Sequence, residues 1–235
     1  LLEAKATRAR RMKPNLLSFI KDFAINELDS DHEYLNIKPL DVVSGGSIEI
    51  IVDNLKFNDD RKIENFIKKT KINNSNKKTI ENIDSLYISI KNDGNTFSKK
   101  LMNLDYEVWN ATDETERRQA PKNTDTIRIV PYSSVRGLEG WSCVLFSFDK
   151  FWELSRQRGI EIAKSESDAQ KTLFKSEMES NNEYANRYAA KWALIALTRA
   201  VDSLIIQIDD KNSYIGKKLF EMYERSQDYV TWTEV

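Results

Sequence analysis

Histidine and cysteine are nearly missing from this 235-residue chain, which has one of each, His32 and Cys143. That excludes an internal disulfide framework and a cysteine cluster for a metal. It also leaves too few ligands or bases for a zinc site or Ser-His-Asp chemistry, so no metal site is expected. A single cysteine inside an apolar run suits a reducing, cytoplasmic setting. Glycine is scarce as well, at seven residues. None stands in the glycine-rich turn ending in Gly-Lys-Ser/Thr that cradles phosphates with backbone N–H groups and a lysine. A freestanding P-loop ATPase is thereby excluded. No apolar run approaches the roughly 18 residues that span a bilayer, and no signal-peptide pattern opens the chain, so no membrane partner is expected. The first residue, Leu1, is not a methionine and lies inside what reads as an ongoing element, so the chain is expected to be a fragment of something longer. Charge of one sign is also absent: the net charge is −1, and any nucleic-acid binding must rest on a local patch. One such patch is Arg8, Arg10, Arg11 and Lys13, which on charge alone is either a solvated helix start or an anion site.

What is present reads as alternating strands and helices. Helical spacing runs over 16–28, with Pro14 suited to a first turn. After a Gly45-Gly46 turn come a strand at Ile48–Val52 and a helix over 60–70. An Asn/Ser/Lys-rich loop over 73–78 follows. The pattern then predicts a strand from Leu86 to Ile90, a helix near 96–104 and a strand over 106–109. A polar surface loop fills 110–125. Strands at 127–130 and 142–148 come next, the second with the near-continuous apolar character of a strand covered on both faces. Residues 150–200 read as helices, with Ala185, Tyr188, Ala189, Trp192, Ile195 and Ala196 on one side of the last. A strand over 204–208, a short helix near 214–224 and a strand from Tyr229 to Trp232 close the chain. This alternation predicts one α/β domain over 1–235, with a mainly parallel sheet and helices on both faces.

Three segments stand out. Pro131 to Glu139 leaves one strand and precedes the next, at a strand end where α/β sheets place ligands. Gly137 permits a turn that a side chain would forbid, and Glu139 offers acceptors fit for a sugar hydroxyl. A plain strand-to-strand connection with a solvated Arg-Glu pair is the other reading of the same residues, and spacing alone favours it. In Ile195 to Leu204 a helix gives way to a strand within four residues. Arg199 there either favours the negative end of the helix dipole or aims its fork at a phosphate held by another domain. The third segment, Arg10 to Leu17, sets a basic pair before a helix, either an anion site or surface.

In this order the three segments resemble motifs of superfamily 1, UvrD/Rep-like DNA helicases. Val135-Arg136-Gly137-Leu138-Glu139, within 131–139, resembles motif V, usually written with His, two variable residues and Lys-Gly-Leu-Glu. Ile195-Ala196-Leu197-Thr198-Arg199-Ala200, within 195–204, resembles motif VI. Residues 8–17 resemble the Asn-Tyr-Arg-Ser motif, with Arg11, Asn15, Leu16 and Leu17 in register. Pro131 and Ser133 depart from the usual threonine and histidine, Arg136 replaces lysine, Arg10 stands where tyrosine is usual, and the acidic residues that often precede motif VI are absent. About 120 residues separate Arg11 from motif V, too few for the large accessory insertion of the bigger family members, so the resemblance is to the compact branch.

The resemblance implies a three-layer, RecA-like domain without its own P-loop, the C-terminal half of an ATP-dependent DNA motor. ATP and Mg2+ would be held mainly by a separate N-terminal P-loop domain, and the isolated half would be inactive. Arg11 and Arg199 would reach the γ-phosphate, Gly137 and Glu139 the nucleotide's ribose, and Ser133, Ser134 and Arg136 single-stranded DNA. Two other readings stay open. One is a degenerate helicase-like module that binds nucleic acid or protein without motor activity. The other is an unrelated α/β domain, which predicts that Arg11, Glu139 and Arg199 do not share a surface.

Overall fold

The computed structural model describes residues 8–9, 12–28, 38–39, 44–53, 59–71, 79–165 and 180–235. Seven strands form one sheet in which every pairing is parallel: β3 (Ser47–Val52), β4 (Ser85–Ser89), β5 (Val108–Asn110), β6 (Ile127–Pro131), β7 (Gly140–Leu145), β8 (Ala200–Ile208) and β9 (Val230–Glu234). Their order across the sheet is β5-β6-β4-β7-β8-β3-β9. Two-residue strands β1 (Arg8–Ala9) and β2 (Lys38–Pro39) pair separately.

The strands sort their side chains by alternation, because successive residues point to opposite faces. Leu86, Ile88, Cys143, Leu145, Leu204, Ile206 and Ile208 face one core. Tyr87, Val144 and Ile205 face the other. The first face is covered by α1 (Pro14–Leu28), α5 (Phe148–Ser165), α6 (Asn181–Leu197) and α7 (Tyr214–Arg225), through residues such as Phe23, Trp152, Ala193 and Leu219. The second is covered by α2 (Asp60–Thr70) and α3 (Lys91–Asn103), through Ile63, Ile67, Phe97 and Leu101. The chain is thus a three-layer α/β fold of the RecA-like kind, with a fully covered parallel sheet. The helices begin where the sequence supplies acceptors for their free N–H groups. Asp59 caps α2, Ser180 forms a reciprocal capping box with Glu183 on α6, and Ser213 caps α7.

Three expectations need correction. The strand expected over 142–148 ends at Leu145, and Phe148 opens α5. Ser147 adopts φ +49, which no strand tolerates, and its backbone N–H donates to Gln207 Oε1 while its Oγ donates to Asp93. The phenyl rings of Phe146 and Phe148 are therefore buried in different cores. Helix α3 starts at Lys91 rather than near 96. The polar stretch 110–125 holds a short helix, α4 (Glu114–Arg117), nucleated by Asp113, whose carboxylate accepts from the N–H groups of Thr115 and Glu116. The loop expected over 73–78 and the middle of the helical region, 166–179, lie outside the described residues.

Helices α5 and α6 approach closely at Gly159, where an added methyl would lie 2.9 Å from Ala185 Cα and 3.1 Å from Tyr188 Cβ. Gly159→Ala should overpack this contact and cost about 1–3 kcal/mol. Urea unfolding checks this, and an unchanged midpoint would show that the two helices can part without cost.

Candidate functional site

Strands β7 and β8 begin side by side, with Gly140 in register with Ala200. The residues just before them, Glu139 and Arg199, are therefore neighbours at the N-terminal edge of the sheet. The Gly140 N–H donates to the Arg199 carbonyl at 3.1 Å. Arg199 Nη1 donates to the Leu138 carbonyl at 3.3 Å, and Nη2 donates to Thr198 Oγ1 at 2.9 Å. Local chemistry explains why the arginine leaves the helix here. Thr198 caps the end of α6, its N–H bonding the Leu194 carbonyl and its hydroxyl the Ile195 carbonyl. The half-buried guanidinium thus lies against the negative end of α6, which favours a cation.

The chain enters this edge through Gly137, at φ +80, with open space where a side chain would begin. Glycine is needed there for its backbone conformation rather than for room. A residue not singled out in the sequence completes the arrangement. Arg128, in β6, shares the face of Val130 and donates from Nη2 to the Glu139 carbonyl at 2.9 Å. The carbonyls of Leu138 and Glu139 thus each receive an arginine. Burial pushes the Arg128 pKa down from its ordinary value, against the charges of Cys143, Asp84 and Glu139, yet a guanidinium stays protonated in a protein. The available signal was a lone charge at an alternating position of an otherwise apolar strand.

Arg11 lies outside the described residues, as do Arg10 and His32. Two residues on, the Lys13 N–H donates to the Val201 carbonyl at 3.1 Å, and its ammonium forms an ion pair with the fully buried Asp202. The Trp141 ring lies over that ammonium, 5.5 Å away. Asn15 anchors the same segment, its N–H bonding the Gly45 carbonyl and its Nδ2 the Gly46 carbonyl. The start of α1 is therefore fixed beside the start of β8, at the edge that carries Arg199. Asp202 belongs to the motif VI-like run, but nothing in its spacing pointed to Lys13.

Ser133 and Ser134 are not at this edge. They lie past the C-terminal end of β6, in the single turn Tyr132–Ser134. Ser133 is exposed. Ser134 Oγ accepts from Arg117 Nη1, in α4, at 2.9 Å. Arg136 is exposed, and its guanidinium stands 5.0 Å from the centre of the Trp192 ring on α6. Residues 132–139 join the two edges, held to the first core by Tyr132 and Val135. Tyr132 stacks on Phe151 and donates its hydroxyl to the Phe146 carbonyl.

Neither a family model nor a curated protein matches the sequence. Among solved structures, this chain is similar to the C-terminal domain of a possible DNA helicase from Lactobacillus plantarum WCFS1. The likeness covers 96% of this chain and 100% of that domain, with a TM-score of 0.50 and 13% identity. It is a likeness of fold. Among the described residues, no group of three or more His, Cys, Asp or Glu is arranged to hold a metal ion, and no helix is long and apolar enough to cross a membrane.

The buried ion pair makes a sharp prediction. Lys13→Met leaves Asp202 charged without its ammonium, which should cost about 3–5 kcal/mol. Adding Asp202→Asn should recover part of that loss. Equal stability of the single and double variants in denaturant titrations would refute the pairing.

Proposed function

We propose that this chain is the C-terminal motor half of a superfamily 1, UvrD/Rep-like DNA helicase or translocase, acting in the cytoplasm. The observation that carries the reading is the adjacency of Arg199, Glu139 and Gly137 at the start of β7 and β8, on one edge with the segment that follows Arg11. The likeness of fold to the C-terminal domain of a possible DNA helicase from Lactobacillus plantarum supports it. In this reading a separate N-terminal P-loop domain holds ATP by its phosphates. Mg2+ is held with the phosphates, mainly by that domain.

Arg199 and Arg11 act on the γ-phosphate. An arginine aimed at a transferring phosphoryl group neutralises charge that develops during transfer, without any bond to it. Arg199 suits this because its fork is planar and permanently charged, and it is aimed along the edge by bonds to the Leu138 carbonyl and Thr198 Oγ1. Glu139 is exposed and accepts from a ribose hydroxyl, while Gly137 keeps the approach clear of side chains. Ser133, Ser134 and Arg136 meet the backbone of single-stranded DNA. Pro131 has no N–H to offer a phosphate, so hydroxyl and guanidinium groups carry that contact. Strand contacts of this kind depend on salt and hardly on sequence. Residues 132–139 begin at the DNA side and end at the nucleotide side, which links closure around ATP to a shift along the strand.

A degenerate module that binds single strands without a motor is the second reading, favoured by the proline and serine that replace threonine and histidine at 131 and 133. The two separate on one measurement. Arg199→Ala, assayed with the P-loop domain in place, should lower DNA-stimulated ATP hydrolysis by about 10³–10⁵-fold with the fold retained. Arg199→Lys keeps the charge but loses the fork and should also be strongly impaired. Unaltered turnover in the lysine variant would contradict the assignment. Strand binding without any ATPase activity in the assembled protein would favour the degenerate module.

A further inference from the structure

We infer that Arg117, in the short helix α4, is a phosphate-binding residue for single-stranded nucleic acid, acting together with Ser134. The inference rests on the strand-binding role proposed for Ser133 and Ser134 and extends it to an element outside all three motif-like segments.

The argument starts from charge. Arg117 donates from Nη1 to Ser134 Oγ at 2.9 Å. It enters no ion pair among the described residues, and neither does Arg118 beside it. Carboxylates lie close in sequence, but two of them are engaged elsewhere. Asp113 accepts from the N–H groups of Thr115 and Glu116, and Glu116 accepts from the Asn110 N–H at 3.0 Å. Glu114 is exposed on the first turn and bonds to neither arginine. Asp113 is held below its ordinary pKa chiefly by those backbone N–H groups, so its charge is spent on capping α4. Arg117 is thus a cation on the surface whose partner is a neutral hydroxyl.

That hydroxyl is the second half of the argument. A serine oxygen that accepts from a guanidinium keeps its own proton to donate. Arg117 keeps its Nε and Nη2 protons, since Ser134 takes only one. The pair therefore presents several donors and one positive charge at the C-terminal end of β6, next to exposed Ser133. Phosphate oxygens accept and carry charge, and an arginine fork matches their geometry. Trp109 fixes α4 beneath the site, donating from Nε1 to the Glu116 carbonyl at 3.0 Å. The guanidinium consequently projects from an anchored turn rather than a loose loop.

The test uses this chain and a labelled single-stranded oligothymidylate of roughly 20 nucleotides, a length that spans a typical strand-binding groove. Fluorescence anisotropy is read across about 50 to 200 mM salt. Arg117→Ala should weaken binding and make the log-log salt dependence shallower by about 0.7, the share of one single-strand phosphate contact. Arg117→Lys should keep the salt slope, because the charge remains. Both variants should melt as the unaltered chain does. If Arg117→Ala leaves affinity and slope unchanged while Arg136→Ala weakens both, Arg117 is no contact and the strand-binding role stands without it. If the unaltered chain binds no oligothymidylate at the lowest salt, the strand-binding role itself fails and takes this inference with it.

Discussion

A connection between parallel strands must travel back the length of the sheet, and the one from β6 to β7 has eight residues, 132–139, in which to do so. Because β4 lies between the two strands, the chain must return roughly 20 Å and move sideways by about 10 Å. Such crossovers ordinarily take a dozen or more residues and a helix. Here Tyr132–Ser134 is spent on one turn, and Val135, in the right-handed helical region, opens a second, closed by the Leu138 N–H on the Val135 carbonyl at 3.2 Å with Gly137 at φ +80. Between the two turns the segment reaches the first core only through Tyr132 and Val135, with Leu138 packed against it. It exposes Arg136, Gly137 and Glu139.

Charged side chains stand at both ends of that segment. At its far end two guanidinium groups hold adjacent carbonyls, Arg199 on Leu138 and Arg128 on Glu139. Hydrogen bonds from charged donors are the strong ones, and Gly140 returns one to Arg199 through the backbone. Beside them the Lys13–Asp202 pair lies under Trp141. A buried pair of this kind adds little to stability compared with apolar packing, but breaking it is costly. Its value lies in registering α1 against β8. Away from that end the pattern reverses: Arg117 lies at the surface against a hydroxyl just past β6, and Arg136, in the segment itself, against an indole. Buried charge builds the N-terminal edge, whereas exposed charge faces solvent along the loop and past the C-terminal end of β6.

Much of the architecture was legible because period and punctuation agree. The helix over 60–70 was readable to the residue from Ile63, Phe66 and Ile67 and the polar positions between them. Strands β4, β6 and β8 show as apolar runs because both their faces are covered. Reading failed where a tertiary bond overrode local pattern. Phe146 and Phe148 look like strand residues, and only Ser147, held in a positive-φ turn by Gln207 and Asp93, separates them. The capped turn at Asp113 was hidden inside a polar stretch because a four-residue helix has no periodicity to display. Arg128 was passed over because alternation marks a face without saying what covers it.

The sequence by itself determined the element order and the parallel α/β class. It also showed that no glycine-rich P-loop run is present, and which short runs were worth weighing. These follow from residue type and local spacing, which act over a few residues. Only the tertiary structure decided that Glu139 and Arg199, sixty residues apart in the chain, stand side by side, since that depends on β7 and β8 pairing in register. It alone decided that Lys13 would find Asp202, that Arg128 would hold Glu139, and that Arg117 would meet Ser134. The physical reason is common to all of them: such bonds join residues that only the closing of the sheet brings within reach, and no local preference encodes a distant partner.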